Sequence, residues 1–146
     1  MDHERTVRIE SLMESFRRAA ADPLTRERHA GYWNFPHSSC TWASFAFGHL
    51  LAELEPDADW HIMNAEAADG CGGHDWLEGR GLAVDVTANQ FDGFQPYVGP
   101  APAPLPHWYS GDSKRIELSE WTDSQQRALA DIRRLMFPEP QIASGG

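Results

Sequence analysis

Basic residues are scarce: 12 Lys and Arg stand against 22 Asp and Glu, a formal net charge of -10. With no Lys/Arg run, the chain lacks the cationic surface that holds nucleic acid or an anionic membrane, so neither is an expected partner. Cysteine is scarcer still. Cys40 and Cys71 are too few for a disulfide framework, although one bridge between them would act as a redox lock on Cys40. No apolar run approaches the ~20 residues of a membrane span. The charged start Met1-Asp2-His3-Glu4-Arg5 is unlike the apolar core of a secretory leader. These absences predict a cytoplasmic, reducing setting in which a free thiol persists. What is present is 41% hydrophobic residues over 146 positions, enough for one domain with its own core. That domain is assigned to residues 1–140, with 141–146 a frayed tail. The acidity reads as solubility, and nothing in the sequence selects an oligomeric state.

Apolar periodicity predicts a helix over residues 3–21, with Val7, Leu12, Met13, Phe16 and Ala20 on one side, stopped by Asp22-Pro23. Residues 25–34 read as a loop. Apolar positions at 40, 43, 47, 50, 51 and 54 predict a core helix that Ser38 or Ser39 caps and Glu55-Pro56-Asp57 ends. A short strand is expected over 60–64, then a small acidic, glycine-rich loop over 65–73. Further short strands are expected at 95–98 and 116–118, either side of an extended segment carrying Pro100, Pro102, Pro104 and Pro106. Thr122 with Gln125 forms a capping-box pattern opening a last helix over 122–137, with Leu129, Ile132, Leu135 and Met136 as its apolar stripe. The fold class is α+β.

Cys40 is the chemically pointed residue. It stands in the first turn of the predicted core helix, where free N–H groups and the helix dipole favour a thiolate. The stretch His74-Asp75-Trp76-Leu77-Glu78, Gly79-Arg80-Gly81, Leu82-Ala83-Val84-Asp85-Val86-Thr87 reads as two alternating strands about a glycine turn. Burying Leu77, Leu82, Val84 and Val86 on one face also puts Asp75 there, and turns His74, Trp76 and Asp85 to the other. A type II′ turn at Gly79-Arg80 pairs Glu78 with Gly81 and sets His74 directly across from Asp85. A carboxylate in an apolar strand needs such a partner. Cys40, His74 and Asp85 then hold the roles of nucleophile, base and orienting acid. The Cys40 N–H and one further donor, from Asn34, His37 or Gln90, would hold an oxyanion, and Trp76 is a packing residue or cleft wall. Gln90-Phe91 is expected to close the strand end, with Phe91 in the core and Gln90 on backbone. His3, His29, His49, His61 and His107 read as surface or helix-face positions.

Phe35-Pro36 before Cys40, then His74-x-Trp76-Leu77-Glu78, then Val84-Asp85-Val86-Thr87-Ala88-x-Gln90-Phe91, resembles small bacterial proteins of the transglutaminase-like branch of papain-like thiol enzymes. The resemblance spans residues 33–98. It implies a Cys-bearing core helix packed on a small antiparallel sheet, with helices added at both ends, and a Cys40-His74-Asp85 triad acting on amide bonds. The expected activity is hydrolysis of a peptide or other amide through an acyl-enzyme, as in peptidases, deamidases or amidases, without a cofactor. Hydrolysis is preferred to transglutaminase-like acyl transfer because a small domain lacks a platform for a second substrate. Two alternatives stand beside it. His37-x-x-Cys40 and Cys71-x-x-His74 are ligand pairs of knuckle-like spacing, which would make a zinc-stabilised binding module with His37, Cys40, Cys71 and His74 as ligands. A domain of the same fold without activity would instead serve as an interaction surface.

Overall fold

The structure is a computed structural model that describes residues 2–70, 72–109 and 112–138. Helix α1 spans His3–Ala20, and Asp2 caps it by accepting from the Arg5 N–H at 3.1 Å. Its core face carries Ile9, Met13, Phe16, Ala19 and Ala20, so the apolar stripe is turned from the expected one: Val7 is 49% exposed. Asp22-Pro23 does end α1, but it also begins a second helix, α2 (Pro23–Arg28), where a loop was expected. Asp22 Oδ1 accepts from the Leu24 N–H at 2.9 Å, and proline suits the first helical position because its missing N–H has no partner to lose there. A 3-10 turn at Ala30–Tyr32 then leads to helix α3 (Cys40–Leu54).

Helix α3 is buried on more than a stripe. Ala43, Phe47, Leu50 and Leu51 are joined in the interior by Ser44, Phe45, Ala46 and Gly48. Phe47 meets Phe16 of α1 at 5.3 Å between ring centroids. Each such large apolar side chain contributes roughly 1.5–3 kcal/mol on burial, so this contact fixes where α3 lies. Its lower side rests on a five-stranded antiparallel sheet of order β4-β3-β2-β1-β5, made of β1 (His61–Glu66), β2 (Gly73–Gly79), β3 (Leu82–Asp85), β4 (Tyr97–Pro100) and β5 (Ser113–Ile116). The expected strands are present with shifted bounds, and the acidic loop is shortened at both ends by β1 and β2. Helix α4 (Asp123–Met136) closes the chain against α1, α2 and α3, with the Thr122–Gln125 capping box formed in both directions. Leu129 and Ile132 face the core as expected, whereas Leu135 is 40% exposed. The tail assigned to 141–146 lies outside the described residues.

The β2–β3 hairpin differs from expectation in register. The ladder pairs Leu77 with Val84, Glu78 with Ala83 and Gly79 with Leu82, so the turn is Arg80-Gly81 and not Gly79-Arg80. Arg80 (φ 41°) and Gly81 (φ 80°) are both left-handed, as a type I′ turn requires. Gly79 is glycine for another reason: a Cβ there would stand 2.5 Å from Cδ2 of the buried Trp60 ring. The shift is two residues, and a side-chain period of two leaves every residue on its expected face. Leu77, Leu82 and Val84 face the core under α3, while Trp76 and Ala83 join Ala65 and Ala103 on the opposite face. Arg5 of α1 braces the turn. It forms a 2.7 Å ion pair with Glu55 and donates to the Gly79 and Arg80 carbonyls at 3.2 and 3.0 Å.

Candidate functional site

Three segments that sequence reasoning singled out meet where β2 and β3 part. The recorded β2–β3 ladder stops at Leu77 and Val84. Continued, it would set Asp85 opposite Trp76, so His74 reaches Asp85 on the diagonal and not directly across. The diagonal is short enough for an imidazole. His74 Nε2 and Asp85 Oδ2 are 2.8 Å apart, with 0% and 1% of their side chains exposed. Asp85 Oδ1 is buried with no hydrogen-bond partner among the described residues, so the bond to His74 is the main compensation of that carboxylate.

Cys40, half-buried, opens α3 and acts on the same ring. Burial alone would lower the His74 pKa; hydrogen bonding to Asp85 and then to Cys40, with the charges of both, overcomes that and raises it to about 9. The imidazolium is therefore the form that the folded site favours at neutral pH. With Nε2 committed to Asp85, Nδ1 is the nitrogen left for other partners, and the Gln90 Nε2 amide stands 3.2 Å from it.

Ser39 occupies the N-cap position of α3, but its hydroxyl turns back to donate to the His37 carbonyl at 3.1 Å. Ser39 makes no side-chain cap bond to the helix, contrary to expectation. Thr41 does the anchoring instead. Its Oγ1 donates to Asp75 Oδ2 at 2.6 Å, and Asn64 Nδ2 donates to Asp75 Oδ1 at 2.6 Å. Asp75 is only 4% exposed, and it joins α3, β1 and β2. Beside it lies a cleft of about 470 Å³ lined by Thr41, Asn64, Asp75, Glu66, Lys114 and bare glycine backbone at Gly70, Gly72 and Gly73.

The other side of the His74 ring is walled by aromatic residues. Trp76 stacks at 6.2 Å, Phe91 meets it edge-on at 5.0 Å, and Tyr109 lies tilted at 6.0 Å. The glycine-rich loop is tied to the segment that follows the prolines, the Ala68 N–H donating to the Trp108 carbonyl at 2.8 Å.

Of the four residues proposed as oxyanion donor or cleft wall, Trp76 and Gln90 are brought to His74. Gln90 Nε2 stands 3.2 Å from the His74 ring and donates to Thr87 Oγ1 at 3.2 Å, not to backbone, and Phe91 is half-buried on the His74 ring, not in the core. Asn34 and His37 stay outside: His37 is exposed, and among the described residues neither side chain bonds to Cys40, His74 or Asp85. His29 and His49 are structural and not merely surface groups. His29 pairs with Asp131 of α4 at 2.8 Å, and His49 donates to the Leu118 carbonyl while stacked 3.6 Å from Trp121. The zinc set and the Cys40–Cys71 bridge both need Cys71, which lies outside the described residues. Among the described residues, no group of three or more His, Cys, Asp or Glu is placed to hold a metal ion, and no helix is long and apolar enough to cross a membrane.

Sequence reasoning missed the Asp75 junction and, Trp76 apart, the aromatic wall. Asp75 was placed on the core face near the open end of its strand, a position that by itself signals a buried carboxylate in need of donors. Comparison of the chain with protein-family models, with curated proteins and with solved structures gives no match.

Proposed function

We propose that the chain is a cysteine-dependent amide or acyl hydrolase of the papain-like, transglutaminase-like kind. One observation carries the reading: a buried His74–Asp85 pair whose imidazole is also acted on by a half-exposed cysteine at the start of a helix. A structural histidine needs one acceptor; here the second influence on the ring is the only thiol among the described residues.

In the proposed reaction, Cys40 Sγ, its proton already resting on His74 in the ion-pair form of the site, attacks the substrate carbonyl carbon and makes a C–S bond. The carbonyl π electrons move to oxygen, where the Cys40 N–H and, once it turns from the His74 ring, the Gln90 amide would donate. Collapse breaks the C–N bond, and the His74 proton leaves with the amine. Water then attacks the thioester, its proton passing to His74, and the acid is released with the thiol restored. Asp85 keeps Nε2 engaged throughout, which fixes the tautomer and holds Nδ1 toward the chemistry.

p-Nitrophenyl acetate tests this as an activated acyl donor. The expected result is a burst of nitrophenolate and one acetyl group mapped by peptide mass to Cys40, both lost in Cys40→Ser and strongly slowed in His74→Ala. Equal acetylation of Cys40 in wild type and His74→Ala would contradict the proposal.

A further inference from the structure

Thr41 Oγ1 of α3 bonds Asp75 Oδ2 of β2 at 2.6 Å, and the residues just before each, Cys40 and His74, are linked by the hydrogen bonding and charge of Cys40 that help raise the His74 pKa. Neighbours on a strand point to opposite faces, so His74 and Asp75 present opposite faces of β2 to this helix start. We propose that Asp75 is a positioning residue that, through Thr41, sets the register of the first turn of α3 against β2 and so holds Cys40 to the His74 ring. The proposal rests on the hydrolase reading of that ring.

Three observations support it. The helix start has no side-chain cap, so the Thr41 hydroxyl replaces the restraint that Ser39 would otherwise supply. Asp75 is itself immobilised, 4% exposed and held from its other side by Asn64 of the neighbouring strand at 2.6 Å. The next residue, Trp42, is the other fixed point of the turn: its carbonyl accepts from the Tyr32 hydroxyl at 3.2 Å, and its ring meets Tyr32 edge-on at 5.9 Å. Tyr32 restrains the rear of the turn, and the Asp75 bond restrains the front. Sub-ångström placement matters for proton transfer, and a misplacement of 1 Å can cost about a hundredfold in rate. Thr41 is itself exposed, which makes its hydroxyl removable without opening the core.

The test is iodoacetamide alkylation of Cys40, resolved from Cys71 by peptide mass, across pH in the wild type, Thr41→Val, Thr41→Ser, Asp75→Asn and His74→Ala. Thr41→Val keeps the shape and removes the donor. Its alkylation near neutral pH should fall about tenfold or more, with the pH profile displaced toward that of His74→Ala. Thr41→Ser should restore the wild-type profile. Asp75→Asn turns one of the two acceptor oxygens into a donor and removes the charge assistance of both bonds, so its profile should move in the same direction as that of Thr41→Val. Urea midpoints taken alongside separate a local change from unfolding. A wild-type profile in Thr41→Val, or equal losses in the Val and Ser variants, overturns the positioning role while a collapsed His74→Ala profile leaves the hydrolase reading standing. A wild-type profile in His74→Ala overturns both.

Discussion

Replacing Asp85 with Asn keeps the shape of the strongest polar contact in the site and removes its charge. The rise of the His74 pKa from 6.5 to about 9 corresponds to roughly 3 kcal/mol of preference for the imidazolium in the folded protein. Because the folded value is raised, that stability is fully present below about pH 6.5 and is lost as pH climbs toward about 9. In Asp85→Asn the ring remains buried, and burial favours the neutral form; only the Cys40 contribution still opposes it. The variant should therefore lose roughly 3 kcal/mol near pH 6 and much less above pH 9. Its stability should no longer fall across pH 6.5–9, and where burial prevails outright it should rise with pH. Urea denaturation at about pH 6, 7.5 and 9.5 reads the slope, and the His74 Cε1–H resonance reads the titration directly. Parallel stability–pH curves for the two proteins, or a wild-type His74 titrating near 6.5, would refute the electrostatic account of the site.

Gln90→Ala separates two roles of one amide. An oxyanion donor is worth about a hundredfold or more in acyl transfer, so acetylation by p-nitrophenyl acetate should drop by that order. Alkylation by iodoacetamide, which develops no oxyanion, should change little. Equal effects on both reagents would place Gln90 with the histidine and not with the oxyanion. Gly79→Ala sets a methyl group 2.5 Å from the Trp60 ring, and overpacking of this kind costs about 1–3 kcal/mol. The urea midpoint should fall accordingly, and an unchanged midpoint would show that Trp60 yields freely.

The pairing of His74 with Asp85 was legible because it depended on faces and not on register. Burying Leu77, Leu82 and Val84 decides which way His74 and Asp85 point, and sliding the strands by two residues leaves that unchanged. The turn itself was misread because Gly79, Arg80 and Gly81 offer two glycines, and only the packing of Trp60 on Gly79 tells them apart. Helix α2 was hidden by Asp22-Pro23, a pair that is as good a helix start as a helix stop. Beyond Trp76 the aromatic wall left no trace, since Phe91, Trp108 and Tyr109 come from irregular segments whose spacing has no period. The partners of Asp75 are 34 residues before it and 11 before it in sequence; the β1–β2 ladder sets Asn64 opposite it, and the packing of α3 on β2 brings Thr41.

The central claim is that Cys40 and His74 act as one chemical unit. The rate of Cys40 alkylation by iodoacetamide, followed against pH in the wild type and in His74→Ala, tests it most directly. An isolated thiol with a pKa of about 8.5 loses nearly all its reactivity between pH 8 and about 6. The account predicts that wild-type Cys40 keeps most of its rate over that range and that His74→Ala loses it. An ordinary thiol profile in both proteins would contradict the account.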